Sequence, residues 1–346
     1  MKEPFLSKPL VSVVVPCKNE QSYIAMVIEN ILAQDYPADC LEIFLIDGKS
    51  SDGTLLIIES YTNLHAHLHL LNNDAGTVPH GLNKAITMVK GTVFLRMDAH
   101  CIYPQNYISE LVRHLFIYDA DNVGGVCNIQ PGADTVIART IAFCNGHPFG
   151  IGNAQWRYAE NGIREVDTVP FGCYKMSVFE KIGCFDEDLI RNQDDEFNAR
   201  LKKSGGNIFL IPSIKCKYFA RDNLSKMARM FYQYGLYKPL GNKKLGSIST
   251  FRQLVPVWFV LFLLSGALTC LFRPQMFPYF LIFIAFYLLV AFLASVSNAF
   301  KQNSIAQLFL APICFFTIHI SYGVGYLKGL ILVLTGKKPS QIKLNR

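Results

Sequence analysis

From Val255 to Leu334 the chain contains no aspartate and no glutamate, and its only formal charges there are Arg273, Lys301 and Lys328. That absence excludes a water-facing helical surface, which would set a charged face against an apolar one. A bilayer core needs about 20 consecutive apolar residues per helix. Val255–Phe272, Phe277–Val296 and Ile305–Leu334 each meet or approach that length, so the tail is expected to insert in a membrane. The ten cysteines form no C-x-x-C pair, which removes the common zinc and redox spacings. They sit mostly in apolar runs and are expected to be free, buried thiols in a reducing compartment. Met1–Pro9 carries charges and two prolines instead of the apolar core of a signal peptide. The front of the chain is therefore expected on the cytoplasmic side. No stripe of interleaved basic and aromatic residues runs through the front part, so no nucleic-acid partner is expected. The formal net charge of +7 lies largely in Arg221–Arg252 and Lys337–Arg346. Both segments flank the apolar tail, where basic residues favour the cytoplasmic face and anionic lipid.

What is present in the first hundred residues is an alternation of strand and helix signals. Val11–Val15, Leu41–Ile46, Leu68–Leu71 and Thr92–Met97 are short apolar runs. Helical patterns at Glu20–Gln34, Thr54–Tyr61 and Pro79–Val89 separate them. Apolar strands alternating with helices predict a mostly parallel, Rossmann-like sheet covered on both faces, an α/β fold. Ligands of such sheets bind beyond the carboxyl ends of the strands, and the polar residues fall there: Lys18–Glu20, Asp47–Asp52 and Asp98–His100. The glycine-rich stretch that follows is less regular. It offers a loop at His147–Asn153, a strand-like Val166–Pro170 and a helix around Asp194–Lys203. Leu224–Leu240 spaces aromatic and basic residues as a helix at a membrane surface would. There are no internal repeats.

Three acidic clusters carry chemistry. Asp47 ends an apolar strand and opens a turn; Asp52 reads as a helix cap, whereas a carboxylate at the strand end suits a nucleobase N–H. Asp98 and His100 are alternate residues that can face one ligand if extended. Carboxylate and imidazole together suit Mg²⁺ or Mn²⁺, the imidazole favouring Mn²⁺, and such an ion offsets charge on a leaving diphosphate. In Gln193-Asp194-Asp195-Glu196, Glu196 and Arg200 read as an i,i+4 pair. Asp194 reads as a general base for an acceptor hydroxyl, with Asp195 as the alternative. His65, His67 and His69 alternate on a strand and read as a solvated edge. His319, inside an apolar segment, reads equally as a functional group or as an interhelical hydrogen bond.

Taken in order, several segments resemble the inverting family-two glycosyltransferases of GT-A fold, in particular the succinoglycan-type exopolysaccharide glucosyltransferases. They are Val15-Pro16-Cys17-Lys18-Asn19-Glu20, Asp47-Gly48-Lys49-Ser50-Ser51-Asp52-Gly53-Thr54, Thr77-Val78-Pro79-His80-Gly81-Leu82-Asn83 and Arg96-Met97-Asp98-Ala99-His100. His147-Pro148-Phe149-Gly150-Ile151-Gly152-Asn153, Asp167-Thr168-Val169-Pro170-Phe171-Gly172 and Asn192-Gln193-Asp194-Asp195-Glu196-Phe197 follow. The resemblance implies that Pro16, Glu20, Asp47 and Asn83 line the donor nucleotide's pocket. It implies that Asp98 is the first acid of a D-x-D motif and reaches the metal and diphosphate, and that Asp194 is the base. Phe171, Gly172 and Cys173 would border the acceptor. Two departures stand out: His100 replaces the second D-x-D acid, and Gln193 replaces the glutamate that usually precedes the base. The Q-x-x-R-W motif of processive synthases is missing. Lys238, near where that motif would fall, is a candidate for donor phosphate. The implied activity is non-processive sugar transfer from a nucleotide sugar, a UDP-sugar by expectation, to a lipid-linked or polysaccharide-precursor acceptor. Two other functions remain: a polyprenyl-phosphate sugar synthase, or a non-catalytic nucleotide-sugar- or glycan-binding membrane protein.

The expected organisation is a catalytic domain over residues 1–222, an interfacial basic and aromatic helix with linker over 223–254, about three membrane segments over 255–336, and a basic tail over 337–346. The expected location is the inner or plasma membrane, catalytic domain inward. Ile305–Leu334 is long for one span and short for two. Pro312, His319, Gly323 and Gly325 suggest a break near Ser321–Gly325, which would return Lys337, Lys338, Lys343 and Arg346 to the cytoplasmic side.

Overall fold

The computed structural model describes residues 7–152 and 154–339. In chain order the elements begin β1 (Val11–Cys17), α1 (Ile24–Leu32), β2 (Leu41–Asp47), α2 (Thr54–Thr62), β3 (Leu68–Asn72), α3 (Val78–Ile86), β4 (Val93–Arg96), β5 (Cys101–Ile102), α4 (Tyr107–Ile117) and β6 (Asn122–Gln130). They continue α5 (Val136–Gly146), α6 (Pro148–Ile151), β7 (Arg164–Glu165), β8 (Cys173–Lys175), α7 (Ser177–Ile182), α8 (Gln193–Lys203) and β9 (Ile208–Phe219). Four longer helices close the chain: α9 (Leu224–Leu245), α10 (Val255–Phe272), α11 (Phe277–Lys301) and α12 (Ile305–Leu334). These elements form two compact units. One holds the chain up to Asn128 and Tyr158–Tyr218; the other holds Ile129–Arg157 and the chain from Phe219 onward.

The first unit is built on a mixed sheet of strand order β3-β2-β1-β4-β8-β6-β9-β5, with β7 on β9. The four strands foreseen from their apolar runs pair in parallel, and β1 and β2 are buried along almost their whole length. The later strands are antiparallel: β8 on β4 and on β6, β5 and β7 on β9. The sheet is thus the GT-A-like mixed type. Val166–Pro170, strand-like in sequence, is irregular here; pairing stops at Glu165 and the chain turns through Phe171 at φ 47°. Register sets the site: Cys17 pairs with Asp47 and Val14 with Arg96. The carboxyl ends of β1, β2 and β4 therefore finish side by side. Asp52 acts as foreseen, its Oδ1 accepting from the Thr54 backbone N–H at 3.0 Å, although the cap position itself is Gly53. The three alternating histidines lie before and on β3, at one end of the strand order. All ten cysteines are free, and seven of them are buried.

In the second unit α5 and α6 share a core with α9, α11 and α12. Ile141, Cys144, Met227, Phe231, Ala291, Phe315 and Ile318 are all buried together. Helix α9 begins at an Asn223 cap, whose side chain accepts from the Lys226 N–H at 2.9 Å. It buries Met227, Phe231, Leu236 and Leu240 within the protein. Three helical segments are long and apolar enough to cross a membrane: Phe251–Phe272, Pro274–Lys301 and Ile305–Leu334.

The break foreseen near Ser321–Gly325 does not occur, because α12 is one helix of 30 residues. Its glycines serve close packing. A Cβ on Gly325 would stand 2.2 Å from the Tyr232 carbonyl oxygen, and one on Gly329 2.2 Å from that of Leu236. Gly235 of α9 answers from the other side, 2.1 Å from the Tyr322 oxygen by the same measure. Small residues spaced four apart let two backbones approach in this way. His319 is a packing residue: Tyr287 Oη lies 2.8 Å from its Nδ1, and its Nε2 lies 2.9 Å from the Phe149 carbonyl oxygen. The second contact requires the proton on Nε2, since a carbonyl only accepts. Of the basic tail, Lys343 and Arg346 lie outside the described residues.

Candidate active site

Beyond the carboxyl ends of β1, β2 and β4, the first unit gathers Glu20, Asp47, Arg96, Asp98 and His100, and α8 adds Asp194. Asp47 is 5% exposed. Its Oδ2 accepts from the Ser50 N–H at 3.1 Å, while its Oδ1 is buried with no hydrogen-bond partner. A buried carboxylate oxygen left unpaired is costly unless a ligand donor completes it. The turn around it is fixed by Asn19, in the left-handed region at φ 57°, which receives the Ser51 N–H at 2.8 Å. Pro16 lies opposite Ile46 on the neighbouring strand.

Asp98 and His100 meet as foreseen, but through a turn and not an extended segment. His100 Nδ1 stands 3.1 Å from Asp98 Oδ1 and 3.4 Å from Glu20 Oε1. The backbone N–H of Asp98 donates to the Tyr103 hydroxyl at 2.6 Å, and Tyr103 is 2% exposed. The Tyr218 ring packs 5.3 Å from that of His100. These carboxylates are felt nearby: burial pushes the Cys17 thiol up, and Asp47, Glu20, Asp52 and Asp98 push it further. Among the described residues no three His, Cys, Asp or Glu side chains converge on one ion. Asp98 and His100 offer two donor types that a divalent ion accepts, a carboxylate oxygen and an imidazole nitrogen.

Asp194 sits in the first turn of α8, where its Oδ1 accepts from the Asp195 N–H at 3.0 Å. Its Oδ2 is 3.8 Å from Arg96 Nη1, and Asp98 Oδ2 is 3.9 Å from Arg96 Nη2. The guanidinium between them lies over the Phe171 ring, 5.9 Å from its centroid. Sequence reasoning quoted Arg96 but gave it no role. Its signal was a permanent charge at the end of an otherwise apolar strand. Tyr103 and Tyr218 were also missed; nothing in their spacing marks them.

Asn83, the acceptor-side trio and Lys238 complete the candidates. Asn83 does not join this group. Its Nδ2 donates to the Phe185 carbonyl at 2.8 Å and to Glu187 Oε1 at 3.0 Å, and its Oδ1 takes the Phe185 N–H at 2.9 Å. It fastens the loop ahead of α8. Of the acceptor-side trio, only Phe171 faces Arg96. A Cβ on Gly172 would meet the Tyr174 ring at 2.4 Å, and Cys173 is fully buried, which raises its thiol pKa. Lys238 belongs to the second unit, on α9. Glu196 is buried and engages Arg200 through two bonds of 2.9 and 3.0 Å, the i,i+4 pair foreseen.

Residues 12–183 match the family Glycosyl transferase family 2. The chain is a family 2 glycosyltransferase. That removes the non-catalytic alternative. The glycosyltransferase is 29% identical, over 93% of its length and 97% of the relative's, to a dolichyl N-acetyl-α-D-glucosaminyl phosphate 3-β-D-2,3-diacetamido-2,3-dideoxy-β-D-glucuronosyltransferase of Methanococcus voltae. It is 26% identical to the succinoglycan biosynthesis protein ExoA of Rhizobium meliloti, over 71% of this chain and 74% of that protein. A mannosyltransferase from Pyrobaculum calidifontis, solved with GDP-Man and Mn²⁺, superposes with a TM-score of 0.61 at 19% identity. The superposition covers 95% of this chain and 88% of that one. It shows the shared GT-A fold.

Proposed function

We propose that this glycosyltransferase moves a sugar from a UDP-sugar to a lipid-linked glycan precursor at the cytoplasmic face of the inner or plasma membrane, with inversion and without processive elongation. The observation that carries the reading is the pairing of Asp98 and Asp194 around one guanidinium, each within 4 Å of it. Pairing a donor-side acid with a base suits single displacement. Asp98 faces the donor's cation and diphosphate, and Asp194 accepts the proton of the attacking hydroxyl. The vacant acceptor on Asp47 suits the imino N–H of a base such as uracil. Glu20 and His100 flank the diphosphate, and Pro16 borders the base. Asp98 and His100 hold Mg²⁺ or Mn²⁺, which neutralises the departing nucleotide when bound. Asp195 is the alternative base. The assignment of Asn83 and Lys238 to the donor rests on the family resemblance alone.

The acceptor class draws support from the Methanococcus relative, whose name gives a sugar already joined to a dolichyl phosphate as the acceptor. The three apolar helices agree with a substrate in the membrane. A route to surface polysaccharide or glycan follows from the same relatives. The test is purified protein in lipid nanodiscs with a panel of nucleotide sugars and either polyprenyl phosphate or a polyprenyl-phosphate-linked sugar. Nucleotide release that needs the linked sugar, with a glycoside as product, is expected. A sugar–phosphate–lipid formed from the bare lipid phosphate would instead make the enzyme a polyprenyl-phosphate sugar synthase.

A further inference from the structure

Arg96 is the last residue of β4, with 10% of its side chain exposed. An arginine does not deprotonate in a protein, so its charge stays wherever it is buried. Burying such a charge is costly unless it is paired and hydrogen-bonded. Here the Nε is buried with no hydrogen-bond partner, and both carboxylate neighbours stand beyond hydrogen-bonding range, at 3.9 Å for Asp98 and 3.8 Å for Asp194. The face of the guanidinium rests on Phe171, whose φ of 47° brings the ring there. One fixed cation is therefore shared between two acids with different tasks.

We infer that Arg96 is the positioning residue of the base, keeping Asp194 ionised and aimed once Asp98 is engaged by the donor. The inference rests on the assignment of Asp194 as base. While Asp98 is free, the two acids divide one positive charge. With Asp98 engaged by a bound donor, Asp194 would remain as the anion opposite the buried guanidinium, and protonating it early would leave that charge alone. Asp194 thus stays ready to accept a proton until the hydroxyl arrives. Its neighbours include Tyr174 of β8, whose phenol is held neutral by burial with Asp194 adding to the effect, and Asp195 on its own helix. Neither supplies a positive charge. Around Asp98 the titratable neighbours are His100, the Tyr103 hydroxyl and, beyond them, Glu20, while the buried Cys17 and Cys101 thiols feel its charge.

The test compares Arg96→Lys with Arg96→Gln, in full-length protein, by steady-state kinetics across pH. Removing the charge should raise the pKa of the base. The acid limb of kcat should move to higher pH by about one unit or more in Arg96→Gln, kcat at neutral pH should fall about tenfold or more, and the KM for the donor should stay within about threefold. Arg96→Lys should keep the acid limb in place. Thermal unfolding with and without UDP establishes that both variants fold and bind. An unmoved acid limb in Arg96→Gln overturns the inference, as does a tenfold rise in donor KM with the limb unmoved, which would assign Arg96 to the donor phosphates. An acid limb displaced equally in both variants also overturns it. Asp194→Asn, measured alongside, keeps the two readings apart: full activity there removes the base assignment itself, whereas inactivity there with an unmoved limb in Arg96→Gln removes only the role of Arg96.

Discussion

Replacing Asp47 by alanine separates a recognition residue from a structural one. In the ligand-free protein the carboxylate holds the Ser50 N–H at 3.1 Å, and its other oxygen is buried and unpaired. The substitution therefore removes one favourable hydrogen bond to a charged group, worth about 1.5–3 kcal/mol, together with a burial penalty of about 1–3 kcal/mol or more. Folding stability should change little, or rise. Donor binding should behave differently. A hydrogen bond between a nucleobase N–H and a carboxylate contributes about 1.5–3 kcal/mol, and about 1.4 kcal/mol is a tenfold change in affinity. UDP should therefore bind the variant about 10- to 100-fold more weakly. Titration calorimetry reads the affinity, and thermal unfolding reads the stability. A chemical counterpart closes the cycle. UDP methylated at N3 lacks the donor hydrogen and should bind the native protein about as weakly as UDP binds Asp47→Ala. The methyl group should cost little further affinity in the variant. Unchanged UDP affinity, or a stability loss of several kcal/mol with affinity retained, would refute the argument that the vacant oxygen awaits a base.

Three further outcomes are expected. Asp194→Asn should leave UDP affinity nearly intact while lowering turnover by about 10²-fold or more, with Asp195→Asn close to native; the reverse pattern in single-turnover assays would shift the base by one residue. Asp98→Asn should raise the donor KM and the concentration of Mg²⁺ or Mn²⁺ needed for half-maximal activity, and an unaltered metal titration would contradict its place beside the cation. Gly325→Val forces a side chain against the Tyr232 carbonyl, where even a Cβ would stand at 2.2 Å. Overpacking of this kind costs about 1–3 kcal/mol, so the unfolding temperature in detergent should drop, and a native value would count against the close contact of α9 with α12.

The parallel half of the sheet was readable because β1, β2 and β4 are buried on both faces and so are written as unbroken apolar runs. Their ends also fix where the polar residues gather, which is why Asp47, Asp98 and His100 were found by position alone. The antiparallel half was not readable. β5, β7 and β8 are two or three residues long, too short to carry a period, and Gly124 and Gly125 within β6 leave room for Val169 and Ile214. Glycine also misled in α12: Gly323 and Gly325 looked like breaks, whereas their use is visible only once Pro256, Tyr232 and Leu236 lie against them. Arg96 escaped for a related reason. Its role depends on Asp194, almost a hundred residues away, and no local pattern links the two. Asn83 is the reverse case: a family motif offers it to the donor, and in the fold it holds the loop at Phe185–Glu187.

The central claim is direct displacement of the nucleotide by an acceptor hydroxyl, with Asp194 taking the proton. It is tested most directly by the anomeric configuration of the product. With an α-linked UDP-sugar and a polyprenyl-phosphate-linked acceptor, proton NMR of the isolated glycolipid should show only the β-glycoside, and Asp194→Asn should form almost none in the same time. An α-glycoside from the native enzyme would contradict the account.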